Sequence, residues 1–226
     1  MRVDVAFTPS EAVSAPVGIV VDVLRATSTI AQALAAGYPR VLCCRDIADA
    51  RALRDELGEG LLGGERNAVQ IEGFDVGASP REFLEARPET LILSTTNGTA
   101  AILTAAERCE EVMLGSLLNL RAVASAAQER GRDVAVVCAG FQGRFALDDA
   151  YCAGRIVELL DAEVTDAAKA SALLARSFPS AHDGLLARTY GPPGLEDDIK
   201  FCAQENTIDV VPRFSRMVDG AAEITL

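Results

Sequence analysis

Several residue types that carry common chemistries are scarce or missing. The chain has one histidine, His182, and no tryptophan in 226 residues. One histidine cannot build a histidine-rich zinc site, and its tail-like surroundings argue for a surface residue over a phosphohistidine. The only lysines are Lys169 and Lys200, and neither completes a G-x-x-x-x-G-K-[ST] loop, which argues against ordinary P-loop use of ATP. No run approaches the roughly 20 apolar residues of a membrane span. Arg2 and Asp4 stand where the apolar core of a signal peptide would begin. The six cysteines lack the paired C-x-x-C clusters of a zinc site. Several fall in apolar segments, where a free thiol behaves as a small hydrophobe, so the expectation is a reduced, cytoplasmic setting.

Positive charge is also short. Lysine and arginine total 21 against 33 aspartates and glutamates, so the formal charge is 21 − 33 = −12. Such a field repels nucleic acid and anionic lipid, and neither is expected as a partner. An acidic chain can still bind an anion, but it needs local arginines, backbone amides or a metal ion. Half of the residues are hydrophobic, enough to bury a core in one domain or two small subdomains.

What is present is alternation. Short apolar runs recur at Val17–Leu24, Arg40–Cys44, Leu91–Ser94, Glu111–Ser116 and Asp133–Gly140. Continuous runs of this length suit strands buried on both faces of a parallel sheet. Alanine-rich helical patterns lie between them, and Gly37, Gly58 and Gly131 follow three of these as C-caps. Strand and helix in alternation predict an α/β fold with helices on both faces of the sheet, a three-layer α/β/α arrangement. "VVDVLRATSTIAQALAAG" and "LILSTTNGTAAILTAAE" both run strand, small polar turn, helix, which is compatible with two similar halves. Phe74–Pro80 reads as an irregular loop, and Gly191-Pro192-Pro193-Gly194 as a surface connection before a last helix and strand.

In open α/β sheets ligands bind beyond the carboxyl ends of the strands, so the residues that end each apolar run are the candidates. In "DVLRATST", Asp22 and Arg25 flank a strand end, and Thr27 and Ser28 open the next helix. Unpaired N–H groups at a helix start suit phosphate or sulfonate, Arg25 can add bidentate contacts, and Asp22 can hold a divalent cation. The alternative is an N-cap beside a structural ion pair. The turn Thr95, Thr96, Asn97, Gly98, Thr99 combines hydroxyls with a glycine that permits close approach, and reads as an anion cradle or a helix cap. In "GGERNAVQIEGFDVGASP", Glu65 and Asp75 are candidate carboxylates and Arg66 a candidate anion clamp. Isolated acids of this kind suit magnesium, which takes carboxylate, water and phosphate oxygens. Asp148 and Asp149 open a later helix; the first reads as an acid satisfying the helix dipole, the second equally as a metal ligand.

Two further matches carry less. Gly58-Glu59-Gly60-Leu61-Leu62-Gly63 spells G-x-G-x-x-G but follows a helical pattern, where the dinucleotide fingerprint needs a strand. Cys138 and Arg144 have the C-x5-R spacing of cysteine-nucleophile phosphatases and stay as a rival site.

Taken together, "VVDVLRATSTI", "GGERNAVQIEGFDVGASP", "STTNGTAAI" and "CAG…LDDAYCAG" resemble the 2-phosphosulfolactate phosphatases over roughly residues 17–160. The resemblance implies two similar Rossmann-like subdomains, placed at about 1–88 and 89–226. It implies magnesium-dependent hydrolysis of (2R)-2-phospho-3-sulfolactate, or a similar small 2-phospho acid, in coenzyme M biosynthesis, and makes a homodimer plausible. Asp22, Arg25 and Glu65 are then the expected catalytic set, and Asp22, Glu65 and Asp149 the expected metal ligands. Thr27, Ser28, Arg66 and Thr95–Thr99 would hold the substrate's anionic groups. Asp22 lacks the D-x-D arrangement of the common aspartyl-phosphate enzymes, which favours direct attack by water. One departure stands out: the family's usual G-N-S-P is Gly77-Ala78-Ser79-Pro80 here. The rivals are a cysteine phosphatase using Cys138 and Arg144, and a non-catalytic binder of phosphorylated acids.

Overall fold

The computed structural model describes residues 1–85, 87–191 and 193–226, so Pro192 of the expected surface connection lies outside them. In chain order the strands are β1 (Arg2–Ala6), β2 (Val17–Val21), β3 (Val41–Cys43), β4 (Leu61–Arg66), β5 (Val69–Gln70), β6 (Leu91–Ser94), β7 (Glu111–Gly115), β8 (Val134–Cys138), β9 (Glu163–Val164), β10 (Arg213–Val218) and β11 (Ala221–Thr225). The helices are α1 (Ala26–Ala36), α2 (Ile47–Leu57), α3 (Gly98–Arg108), α4 (Leu120–Arg130), α5 (Leu147–Val157), α6 (Asp166–Arg176), α7 (Ala181–Leu186) and α8 (Glu196–Cys202). Each expected strand and helix is present to within a few residues. Gly37, Gly58 and Gly131 cap α1, α2 and α4 in the left-handed conformation that L side chains disfavour.

The sheet order is β5-β4-β6-β3-β11-β10-β7-β2-β8-β1-β9. It contains two parallel groups. In one, β3 and β4 flank β6; in the other, β7 and β8 flank β2, with β1 and β9 beyond. The terminal hairpin joins them: β11 pairs antiparallel with β3, and β10 meets β7 at Arg213 and Met113. Strands from either side of residue 88 are interleaved, since β6 lies between β4 and β3, and β7 and β8 flank β2.

Strand residues alternate between faces, and this builds three layers. On β2, Ile19 and Val21 enter the core shared with α4, α5 and α6. Val20 enters the opposite core under α1 and α3. On β3, Val41 and Cys43 join that second core, while Leu42 packs toward α2 with Ala50 and Leu53. The result is an α/β/α sandwich, as the alternation of apolar runs requires.

Helices α5 and α6 pack closely because α5 carries Gly154. A Cβ there would lie 2.1 Å from the Ser171 carbonyl oxygen on α6. Ser171 Oγ donates back to the Ala150 carbonyl over 2.6 Å. Gly154→Ala must push the helices apart, and overpacking of this kind costs about 1–3 kcal/mol. The expected outcome is a melting temperature lowered by several degrees in calorimetry. An unchanged value would mean that the close approach is not needed.

Candidate functional site

The carboxyl ends of β2, β4, β6 and β8 converge on one small cleft of about 50 Å³, partly open to solvent. β2 runs directly into Asp22, Leu24, Arg25 and Ala26; β4 brings Glu65 with Asn67 and Ala68; β6 brings Thr95, Thr96 and Asn97; and the segment after β8 brings Phe141. The connection after α7 closes the remaining side with Arg188, Tyr190 and Gly191.

Asp22 is 7% exposed, and its Oδ1 accepts a 3.3 Å hydrogen bond from the Ala26 amide at the start of α1. Burial raises its carboxyl from 3.8 to about 7, and the charges of Glu65 and Asp148 push the same way. Gly98 is the residue that lets α3 begin against it. A Cβ at Gly98 would sit 2.4 Å from the Ala26 Cβ and 2.7 Å from Asp22 Oδ2. Glu65 is held at both oxygens: Oε1 accepts from the Thr96 amide at 2.8 Å, and Oε2 from the Ala68 amide at 2.6 Å. The Thr95–Thr99 turn therefore gives an amide to an anion, but that anion is a protein carboxylate. Thr95 Oγ1 and Thr99 Oγ1 lie 3.2 Å apart, and Thr95 Oγ1 also accepts from the Thr99 amide. Gly98 and Thr99 support this wall from behind. Thr96 Oγ1 is buried with no hydrogen-bond partner among the described residues, a costly state for a hydroxyl that faces nothing. Asn97 Oδ1 accepts from the Gln142 amide and ties the β6 wall to the segment after β8.

Other expected residues stand elsewhere. Thr27 and Ser28 are fully buried, and their hydroxyls donate to the Asp22 and Val23 carbonyls at 3.0 and 2.8 Å, so they brace the strand end and do not line the cleft. Arg66 is spent on the Glu65, Ser94 and Arg45 carbonyls and on Ser94 Oγ, so it is no anion clamp in this arrangement. Asp149 lies behind the wall, with its two oxygens accepting from the Val23 and Gly140 amides at 2.9 and 3.0 Å. Burial, then the charges of Asp148 and Asp22, drive its carboxyl well above the usual range. Asp75 accepts from the Leu62 amide and lies near Arg54, away from the cleft. Cys138 is 0% exposed within the core under α4 and α5, and burial pushes its thiol well up, which opposes thiolate formation. Arg144, its partner in the rival reading, is exposed on a separate turn.

Three residues that strand-end reasoning does not reach complete the site. Tyr190 stacks on Phe141, with ring centroids 4.4 Å apart, and its hydroxyl donates to Asp148 Oδ1. Asp148 is thus more than an acid at a helix start; burial raises its carboxyl, and the Tyr190 contact partly offsets this. Asp198 on α8 holds Arg25 at 2.7 Å and accepts from Ser79 Oγ at 2.6 Å. Arg188 lines the cleft from the far side. No local spacing marks any of the three.

For a divalent cation, Asp22 and Glu65 offer hard oxygen donors in one cleft. Magnesium commonly takes one or two carboxylates and completes its shell with water and phosphate oxygens, so this pair fits it. Asp149 stands behind the wall and does not line the cleft, so unlike Asp22 and Glu65 it is not placed as a direct ligand. No cluster of three or more histidine, cysteine or acidic side chains forms a metal cage among the described residues.

Fold and site together define an α/β protein with a carboxylate- and arginine-lined cleft at its strand ends, a setting suited to small anionic ligands. The chain belongs to the 2-phosphosulpholactate phosphatase family, whose model matches residues 5–216. A protein of Carboxydothermus hydrogenoformans named "Probable 2-phosphosulfolactate phosphatase" is 37% identical over 223 residues, 94% of this chain and 92% of that one. Proteins of the same name from Thermus thermophilus and Symbiobacterium thermophilum are 38% and 39% identical, covering 94% and 92% of this chain and 94% of each of theirs.

The buried carboxyl of Asp22 predicts a pH dependence. Its folded-state value lies above the unfolded one, so its contribution to stability is full below about pH 4 and is lost as pH rises to about 7. Asp22→Asn keeps the oxygen that accepts from Ala26 and removes the titration. In chelator, the melting temperature of Asp22→Asn relative to the parent should rise from pH 5 to pH 8. The gain corresponds to at most about 4 kcal/mol. A difference that stays flat with pH would show that Asp22 carries no buried charge.

Proposed function

We propose that this chain is a magnesium-dependent phosphatase acting on 2-phospho-3-sulfolactate or a similar small 2-phospho acid, yielding the hydroxy acid and phosphate. The observation that carries the reading is the pairing of Asp22 and Glu65 in one cleft of a chain from this family. Coenzyme M biosynthesis is the pathway that the resemblance implies. Six free cysteines, most of them buried, support a reducing cytoplasmic setting.

Asp22 and Glu65 would hold the metal. When bound, magnesium supplies charge neutralisation and Lewis-acid polarisation at the phosphoryl oxygens. The chain's own work is positioning. The Thr96 and Ala68 amides fix the rotamer of Glu65, and the Ala26 amide orients Asp22. The unpartnered Thr96 hydroxyl is buried at the cleft wall and would reach a substrate oxygen by a change of rotamer. Water attacks phosphorus, the phosphorus–oxygen ester bond breaks, and the leaving alkoxide takes up a proton. Ala78 lines the cleft where the family pattern has asparagine, so that departure bears directly on substrate choice.

Phosphate release from phosphosulfolactate and related 2-phospho acids tests the reading. Turnover should require magnesium, stop in EDTA and survive Cys138→Ser. EDTA-resistant turnover lost in Cys138→Ser would favour the cysteine mechanism. Ligand-induced thermal stabilisation without phosphate release would leave a binding protein.

Thr96→Val tests the turn. It removes a hydroxyl without a partner in the free protein, so the melting temperature should hold or rise. KM should rise about tenfold, the worth of one lost hydrogen bond. A fall in stability with unchanged kinetics would make the turn only a helix cap.

A further inference from the structure

We infer that Arg188 binds the substrate's sulfonate and so sets the preference for a doubly acidic 2-phospho acid; this rests on the phosphatase reading above. The argument begins with the arginines near the cleft. Arg25 is consumed by an ion pair with Asp198 at 2.7 Å and a bond to the Ala68 carbonyl at 3.1 Å. Arg66 donates only to carbonyls and to Ser94 Oγ. Arg188 makes one hydrogen bond, from Nη1 to the Tyr190 carbonyl at 2.9 Å, and among the described residues no carboxylate lies within ion-pair distance of it. It therefore brings a charge with no salt-bridge partner, felt by the nearby Asp148 carboxyl, and four spare donors to a cleft in a chain of net charge −12.

The surrounding geometry holds it there. Tyr190 is fixed through its stacking on Phe141 and its hydroxyl bond to Asp148. The Arg188 side chain folds back over Gly191, whose φ is +92°, and a Cβ at Gly191 would lie 2.3 Å from Arg188 Nη1. Only glycine combines that backbone conformation with that approach. Arg188 also enters from the connection after α7, apart from the strand ends that bring Asp22, Glu65 and Thr95–Asn97. A phosphoryl group beside the carboxylate pair leaves the acid farthest from the ester oxygen nearest to this separate wall. In 2-phospho-3-sulfolactate that acid is the sulfonate, and guanidinium matches its oxygens by paired donors.

The test compares phosphosulfolactate with 2-phospholactate, which lacks the sulfonate, in the parent, Arg188→Ala and Arg188→Lys. Arg188→Ala should raise KM for phosphosulfolactate about 10- to 100-fold, the range for a lost charge-assisted bond, with kcat moving far less. The loss should exceed that on 2-phospholactate by at least about tenfold, and Arg188→Lys should restore part of it. Equal losses on both substrates, or a loss in kcat alone, would overturn the inference. If Arg188→Ala does not fold, an unaltered preference in folded Arg188→Lys would overturn it equally. If the parent turns over neither substrate, the phosphatase reading fails, and titration calorimetry with sulfolactate and lactate decides the residue's role. Tighter sulfolactate binding by the parent than by the variant supports the assignment, and equal binding removes it.

Discussion

The site is organised around a carboxylate placed where a carboxylate is expensive. Asp22 directly follows β2, an inner strand of a parallel group, and is nearly sealed from water. Burial without compensation would leave it protonated near neutral pH. The neighbouring structure is shaped to keep it there: α1 begins with an amide aimed at Oδ1, and α3 begins with a glycine because any side chain would strike Oδ2. The hydroxyls of Thr27 and Ser28 lock the Asp22 and Val23 carbonyls behind it. Helix starts, strand end and turn are thus mutually constrained, and few of these residues can change alone.

A second consequence concerns charge. Asp22, Asp148 and Asp149 are all buried on this side of the sheet, and Glu65 adds a fourth acid at the cleft. The charges of Glu65 and Asp148 raise Asp22, and those of Asp148 and Asp22 raise Asp149, so these two buried carboxyls resist ionisation. The protein's cations cancel this only in part: Arg25 is already neutralised by Asp198, Arg66 points into carbonyls, and Arg188 is one charge against four acids. A cleft with surplus negative charge and a phosphorylated ligand must gain positive charge from elsewhere. That need is the electrostatic support for the proposed divalent cation, which Asp22 and Glu65 would hold.

Much of this was legible in the sequence, and the gaps have physical causes. Buried parallel strands are continuous apolar runs, so β2, β3, β6, β7 and β8 stood out. β4 did not, because its run contains Gly63 and Gly64. Those glycines serve close pairing with β6: a Cβ at Gly64 would lie 2.2 Å from the Ser94 carbonyl. The strand-end rule pointed to Asp22, Arg25, Glu65 and Thr95–Asn97, all of which line the cleft. It overreached at Thr27 and Ser28, because a hydroxyl in the first turn of a helix can bond a carbonyl behind it as readily as a ligand ahead. It also passed over Arg188 and Tyr190, which line the cleft, and Asp198, which holds Arg25; these come from irregular or short-helix segments where only tertiary packing assigns direction.

The Thr95–Thr99 turn shows how an anion-binding element can be turned to another use. A small polar turn opening a helix can bind phosphate through its amides. Here the Thr96 amide is given to Glu65, so its donor capacity goes into orienting an acid. An amide that binds phosphate directly stabilises one ligand state. Under the proposed reading, an amide that orients a carboxylate would preorganise a cation site. Binding of the anion would then depend on metal and on pH. A direct cradle would escape both dependences, and what the turn still offers toward one is the unpartnered Thr96 hydroxyl and Asn97 at the cleft wall.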